Sequence, residues 1–384
     1  MKVEQLNIEN IDLQSQKSLC KSMSSFLQSH FWADFKANHG WKELRFKGYE
    51  AGIEFECSLL LREFSIPFIG KINLAYVPMG IDLCKNFSDD VYKCTTYTKI
   101  LSEFSCMIKQ YLPKKTICIR YDVPIEFERI DDAVSFATSV EKQSRKISKK
   151  LKCTKAPYNV QPPDTVVLDL SQSEDCIFEQ MKSKWRYNIR LAQKKGVQIK
   201  KCSLDEIDLF YNLYKVTAQR DGIAIHNKEY YADLLRRGCS YNFSSSEENL
   251  NSDYSVNLYI ASHEDEPLAA IITLFTPKEA VYLYGASSNN KRNLMPAYLL
   301  QWTSICDAKK AGSLCYDFYG IPPTDDEKHP MHGLYRFKTG FGGRIVHRPG
   351  SIDVPLSPLY NLYVVLEKLR SFWYKTVKKR FTRR

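Results

Sequence analysis

Two stretches, ICIRYDVP (residues 117–124) and LCYDFYGIP (314–322), share an outline: a short apolar and aromatic run, an aspartate, then a proline. Each reads as a strand that its proline ends, because proline cannot donate to a sheet ladder. Working outward, each follows a helical segment of similar length. The first spans 89–112. The second spans 297–311, with Pro296 near its start and Gly312 just past its end, the usual start and stop signals. Ahead of the first helix lie strand-like runs WKELRFKG, FECSLLLREF and KINLAYVP, preceded by a helix through SFLQSHFWADFKANHG. Ahead of the second lie VNLYIASHE, PLAAIITLFT and AVYLYGAS, with helical patterns over 205–218 and 228–237. The same order twice points to a duplicated mixed α/β (α+β) unit of about 150–190 residues each. The boundary falls in SRKISKKLKCTKAPYNVQPPD (144–164), charged and then proline-rich, followed by a lead-in strand in QPPDTVVLDL (161–170). That gives a first domain over 1–158, completed by 349–384, and a second over 159–348. SYNFSSSEENLNSDYS (240–255) reads as a polar, exposed loop.

At 384 residues, with 44% hydrophobic and 26% charged residues, the chain has the composition of a globular protein. There is no apolar run of membrane-spanning length and no signal-like apolar region near the N-terminus. Twelve cysteines are scattered without a CxxC pair. Several, such as Cys118, sit in apolar runs and read as core residues in a reducing, cytoplasmic compartment, with no disulfide framework and no zinc. Fifty-five Lys and Arg against 44 Asp and Glu leave a charge of +11, which favours an anionic partner such as nucleic acid, a nucleotide or anionic lipid.

SKWRYNIRLAQKKGV (183–197) concentrates that charge. Lys182, Arg186, Arg190 and Lys194 recur every four residues and form one helical stripe. Met181, Trp185, Ile189 and Ala192 form the neighbouring apolar stripe. No anion lies between Met181 and Lys195. Such a face is either simply solvated or meets an external phosphate chain. The loop SSNNKRNLMP (287–296) sits between strand and helix where acetyl-CoA enzymes of the GNAT fold carry glycines, and it has none. That argues against coenzyme A. GxxxxGK[ST], GxSxG and HExxH are all absent, and the histidine pair in HPMH (329–332) reads as loop chemistry. In GLYRFKTGFGG (333–343) three of the four glycines follow the lysine. They turn a short helix into the strand RIVHRP rather than cradle a phosphate. The C-terminal LYNLYVVLEKLRSFWYKTVKKRFTRR has helical apolar periodicity and a basic end. It either packs on the first domain or reaches tRNA or anionic lipid.

SHFWADFK, KSKWRYNIRLAQKKGV, TAQRDGI, YLYGASS, LLQWTSICDAKKAGSLCYDFYGI and GLYRFKTGFGG, in this order, resemble the Fem family. These are aminoacyl-tRNA-dependent transferases that build peptidoglycan interpeptide bridges. The resemblance spans nearly the whole chain and is strongest over 181–348. It implies two tandem GNAT-like domains acting as a monomer, without a cofactor. The donor is aminoacyl-tRNA. The acceptor is a peptidoglycan precursor, UDP-MurNAc-pentapeptide or lipid II, which allows peripheral contact with the membrane. Residues 201–240 are too few for the coiled-coil arm of some members.

The resemblance also implies residue roles. Lys36 matches an acceptor-contacting lysine, its alternative being a solvated helix residue. Arg220 matches an acceptor-site arginine, its alternative being an ion pair with Asp221 or Glu206. Tyr284 matches an acceptor-lining tyrosine, for which Tyr282 is the alternative. In VPMGIDL, Met79 and Ile81 depart from the family's Arg–Gly–Pro, so Asp82 is either a substrate-binding carboxylate or a turn residue. Phe337 and Lys338 match the family's Phe–Lys pair. Phe337 would offer a face to the terminal adenosine, and Lys338 a cation to the oxyanion of the tetrahedral intermediate. Lys182, Arg186, Arg190 and Lys194 would contact tRNA. Asp317 is either a proton acceptor or a buried structural aspartate.

Overall fold

The computed structural model describes residues 1–6, 25–50, 53–66, 70–81, 90–147, 152–243 and 254–373. The chain divides into two compact units, residues 1–163 with 347–384, and residues 164–346. The boundaries therefore sit a few residues from those read in the sequence. Asn159 and Val160 are tied to Ser351 at 2.8 and 3.1 Å, and the Arg348 amide donates to Pro163 O at 3.0 Å.

The first unit holds a seven-stranded sheet of order β1-β2-β3-β4-β5-β14-β6. Its strands are β1 (Lys2–Leu6), β2 (Lys42–Glu50), β3 (Ile53–Ile66), β4 (Gly70–Val77), β5 (Thr116–Asp122), β6 (Thr154–Lys155) and β14 (Ser351–Pro355). Helix α1 (His30–Ala37) starts where the Ser29 side chain accepts the Trp32 amide at 3.1 Å, a cap contributing about 1 kcal/mol. Helix α2 (Asp90–Ile108) crosses from β4 to β5, and β4 and β5 accordingly run parallel. Phe46, Leu59, Val77, Leu101, Phe104 and Ile119 fill the core beneath it.

Helix α3 (Ile130–Ile147) runs into the segment read as a linker. Its signals are local: Asp131 and Asp132 in the first turn, Arg145 and Lys146 in the last, each complementing the helix dipole. Ala133, Phe136, Ala137, Val140 and Ser144 make its buried stripe.

The second unit repeats the plan, in the order β13-β7-β12-β11-β10-β9-β8. Here β7 is Asp164–Asp169, β8 Gln198–Cys202, β9 Ser255–His263, β10 Glu266–Phe275, β11 Glu279–Ser287, β12 Cys315–Asp317 and β13 Arg344–His347. Its helices are α4 (Glu174–Glu179), α5 (Ser183–Lys194), α6 (Ile207–Asp221), α7 (Lys228–Phe243), α8 (Pro296–Lys310) and α9 (His332–Thr339). Strands β9, β10 and β11 form an antiparallel meander, α8 crosses over, and β12 returns parallel to β11. Helices α6 and α7 are 15 and 16 residues long.

The two echoed stretches, β5 and β12, hold equivalent positions. Each runs parallel to the last strand of its meander and is flanked by an antiparallel strand, β14 beside β5 and β7 beside β12. The aspartates ending them are treated alike. Asp122 accepts from the Ser351 and Tyr76 hydroxyls, and Asp317 from the Thr165 hydroxyl. The flanking strand opens the second unit but closes the first from the far end of the chain.

Helix α10 (Tyr360–Phe372) belongs to the first unit. Tyr360 and Tyr363 pack on Ile72, Ile117 and Cys118. Arg120 holds Asp353 at 2.7 and 2.9 Å and Glu367 at 2.9 and 3.0 Å. Cys57, Cys118 and Cys153 are free and buried, as core cysteines should be. Residues 244–253 of the predicted polar loop and the basic end over 374–384 lie outside the described residues.

Candidate active site

Lys338 stands in the last turn of α9 with only 6% of its surface exposed. Its ammonium donates to the carbonyls of Tyr319 at 2.5 Å and Gly320 at 2.9 Å. It also lies 5.1 Å from the centre of the Tyr282 ring. The carbonyls are aimed by the turn after β12. Tyr319 adopts φ 53°, and its amide donates to Asp317 Oδ1 at 2.6 Å. Burial pushes the Lys338 amine down to about 7, with Asp317 pulling the other way. Near neutral pH the group is both cation and proton carrier.

Tyr282 and Tyr284 flank a β-bulge. Ile272 pairs with Tyr284 and Thr273 with Tyr282, so Leu283 is skipped. Bulges re-aim side chains, and this one separates the two tyrosines. Tyr282 faces Lys338. Tyr284 joins an aromatic cluster, edge-on to Tyr231 at 5.1 Å and to Tyr214 at 6.3 Å. Burial pushes its hydroxyl well up, so it stays a protonated hydrogen-bonding group. Of the two, Tyr282 is the one in contact with the lysine.

Phe337 is half-buried. It meets Tyr298 and Phe341 edge to face at 5.2 and 5.3 Å, and its carbonyl accepts from Trp185 Nε1 at 2.9 Å. Through Trp185 the cationic helix α5 is seated directly against the Phe–Lys pair. The Lys182 amide donates to Gly340 O at 2.9 Å. A Cβ at Gly340 would stand 2.1 Å from the Trp185 ring, so only glycine permits this approach.

The stripe on α5 divides in two. Lys182, Arg190 and Lys194 are exposed, with Arg190 lying over Phe178 at 5.1 Å. Arg186 is engaged inside the unit. It donates to Glu179 O at 2.8 Å and Met181 O at 2.5 Å, and pairs with the Glu179 carboxylate at 3.6 Å. The anion missing from 181–195 is thus supplied from two residues upstream, and Arg186 secures the turn into the helix.

Arg220 has its guanidinium fully occupied. It reaches Asp221 at 2.8 and 3.2 Å, Ser287 O and Oγ at 3.1 and 3.2 Å, and Asn289 Oδ1 at 3.1 Å. It thereby staples the end of α6 to the end of β11. The ion-pair partner is Asp221, while Glu206 pairs with Lys200.

In the first unit Lys36 lies 5.8 Å over Trp32 and 5.6 Å over Trp41, with Arg62 on Trp41 at 5.3 Å. Burial and then Arg62 lower its amine to about 8. Lys36 is therefore no ordinary solvated helix lysine. Asp82 lies outside the described residues.

The loop ahead of α8 engages its own cation, since Lys291 pairs with Glu264 at 2.9 Å and Glu266 at 3.2 Å. Among the described residues no group of three His, Cys, Asp or Glu is placed to hold a metal ion. His329 takes a loop role, its Nδ1 accepting the Met331 amide at 3.1 Å. Sequence reasoning missed Trp185, Gly340, Trp41 and Arg62 as site-building residues. A tryptophan in the α5 stripe and a glycine after α9 were visible, but their contact spans 155 positions of sequence and leaves no local signal.

Two α+β units of one plan, with a buried lysine beside an aromatic face, define a two-domain protein suited to acyl transfer. The fold is that of the solved structure of FemX, with a TM-score of 0.71 at 19% identity, covering 95% of this chain and all of that one. The chain belongs to the FemAB family, whose model matches residues 18–237 and 242–368. Among its relatives, the lipid II:glycine glycyltransferase of Staphylococcus epidermidis is 24% identical over 417 aligned positions, covering 94% of this chain and 95% of the relative. That of Staphylococcus aureus is 22% identical over 393, covering 88% and 89%.

Proposed function

We propose that this protein is an aminoacyltransferase that builds peptidoglycan interpeptide bridges. It moves an amino acid from aminoacyl-tRNA to an amine of a precursor stem peptide. Family membership and the glycyltransferase relatives support the transferase reading. The observation that carries it is Lys338, buried with its ammonium pinned between two carbonyls and an aromatic face.

The ester on tRNA is already activated, so no covalent enzyme intermediate is required. The acceptor nitrogen attacks as the neutral amine, although its free pKa is about 10.4. The new C–N bond forms, and negative charge gathers on the former carbonyl oxygen. Lys338 meets that charge, a contribution of about 3–4 kcal/mol by comparison with oxyanion-hole donors. As the C–O bond to the ribose breaks, the proton lost by the amine passes to the departing hydroxyl. Phe337 stacks on the terminal adenosine, worth about 1–3 kcal/mol. Lys182, Arg190 and Lys194 follow the tRNA phosphates, and Arg186 keeps their helix in place. On the acceptor side Lys36 supplies a cation with Arg62 and Trp41 beside it. Arg220 exchanges part of its Asp221 contact for the incoming anion. The relatives' name favours the lipid-linked precursor over the UDP-linked one.

The test is to incubate the protein with labelled aminoacyl-tRNAs and each precursor, then locate the modified amine by mass spectrometry. A lack of transfer from every aminoacyl-tRNA to both precursors refutes the reading.

A further inference from the structure

Helix α10 carries two apolar faces. One, through Tyr360 and Tyr363, is buried on the first unit's sheet. The other faces solvent in part: Leu359, Leu362, Val365, Leu369, Phe372 and Trp373 are 40–61% exposed. Leu362, Val365, Leu369 and Phe372 recur at three- and four-residue intervals, which places them on one side of the helix. Lys368 and Arg370, both exposed, border that strip on its two edges. The helix cannot roll to hide it, because Arg120 locks Glu367 and Tyr360 locks Asp353 on the opposite side. Just beyond, residues 374–384 read YKTVKKRFTRR, six cations and no anion. An apolar strip ending in Phe and Trp, edged by cations and followed by a basic run, matches the chemistry of an anionic bilayer surface. A nucleic acid would use the cations but leave the apolar strip uncovered, and an apolar protein partner would leave the cations unused.

We infer that the outer face of α10 is a membrane-docking surface, seated on anionic lipid with Leu362, Leu369, Phe372 and Trp373 in the headgroup–acyl boundary. The inference rests on the proposed function only for its purpose, which is to bring the first unit to a lipid-linked acceptor. Its geometry is independent of that reading.

The experiment is co-sedimentation of the full chain with vesicles of phosphatidylcholine containing phosphatidylglycerol, and with phosphatidylcholine alone. Binding to the anionic vesicles is expected to be at least about tenfold tighter, and to weaken as salt rises. A Leu369→Glu, Phe372→Glu double variant, checked for an unchanged melting curve, is expected to lose binding about tenfold or more. It should still transfer to a water-soluble stem peptide at the wild-type rate. Wild-type chain that ignores anionic vesicles, or a folded double variant that binds them undiminished, overturns the inference. So does a concentration-dependent dimer that the double variant abolishes, since a second copy would then be the occupant. Absence of aminoacyl transfer by the wild-type chain counts against the proposed function and leaves the vesicle result standing.

Discussion

Replacing Lys338 with methionine separates chemistry from architecture, because the two respond in opposite directions. The amine is almost wholly buried and held at about 7 instead of its ordinary 10.5. A lysine whose folded pKa is lowered destabilises the fold, fully so below the folded value, and the cost is relieved as pH rises toward the unfolded one. At neutral pH that cost is on the order of 4–5 kcal/mol. Against it stand the hydrogen bonds to Tyr319 and Gly320, at about 1–3 kcal/mol for each carbonyl left without its donor. Lys338→Met is therefore expected to be as stable as the wild type at pH 7, or more so by a few kcal/mol. Its advantage should shrink between pH 7 and 10, where the wild-type amine is relieved of its charge. Transfer should fall by roughly 10²–10³-fold. Single-turnover transfer from labelled aminoacyl-tRNA measures the first effect, and urea melts at pH 7 and pH 9.5 the second. Near wild-type turnover would refute the catalytic role. Turnover lost together with several kcal/mol of stability would instead make Lys338 a structural residue.

Three further outcomes follow from single contacts. Gly340→Ala drives a Cβ into Trp185 at 2.1 Å; a loss of about 1–3 kcal/mol is expected, with impaired transfer as α5 shifts, readable by thermal melting beside the activity assay. Charge reversal of Lys182, Arg190 and Lys194 is expected to lower the salt slope of tRNA binding by about 2–3, whereas Arg186→Gln, which breaks the ties to Glu179 and Met181, should change melting more than that slope. Arg120→Met strips the guanidinium from buried Asp353 and from Glu367; a cost of about 3–5 kcal/mol is expected, with α10 the first element to open in hydrogen exchange.

What the sequence discloses about this protein follows the range of the interaction concerned. Strands β2 to β4 and β9 to β11 were legible because alternation is a local signal, and α8 because Pro296 and Gly312 mark its ends. Helix α3 was hidden by the charge that stabilises it. Arg145 and Lys146 complete its dipole but, read in line with the lysines that follow, resemble a linker. Arg186 is ambiguous in the sequence for a related reason. A stripe of cations invites an external anion until the fold returns Glu179 and two carbonyls to one of them. The Phe–Lys pair was legible only through family resemblance. Nothing in GLYRFKTGFGG announces that Lys338 will be buried, because the carbonyls that hold it come from the turn after β12 and the ring over it from β11. The echo of ICIRYDVP and LCYDFYGIP proved the most informative pattern, since it survives in both sheets as the strand ending in a hydroxyl-bound aspartate. That symmetry also locates what differs. In the second unit the helix leading to the strand beyond the flanking one, α9, brings a lysine beside that aspartate's turn. In the first unit the helix at the same place in the order, α3, presents Phe136, Ala137 and Val140 to the core. On the proposed mechanism, the duplicated frame places its reactive cation in the second unit, at the turn after β12.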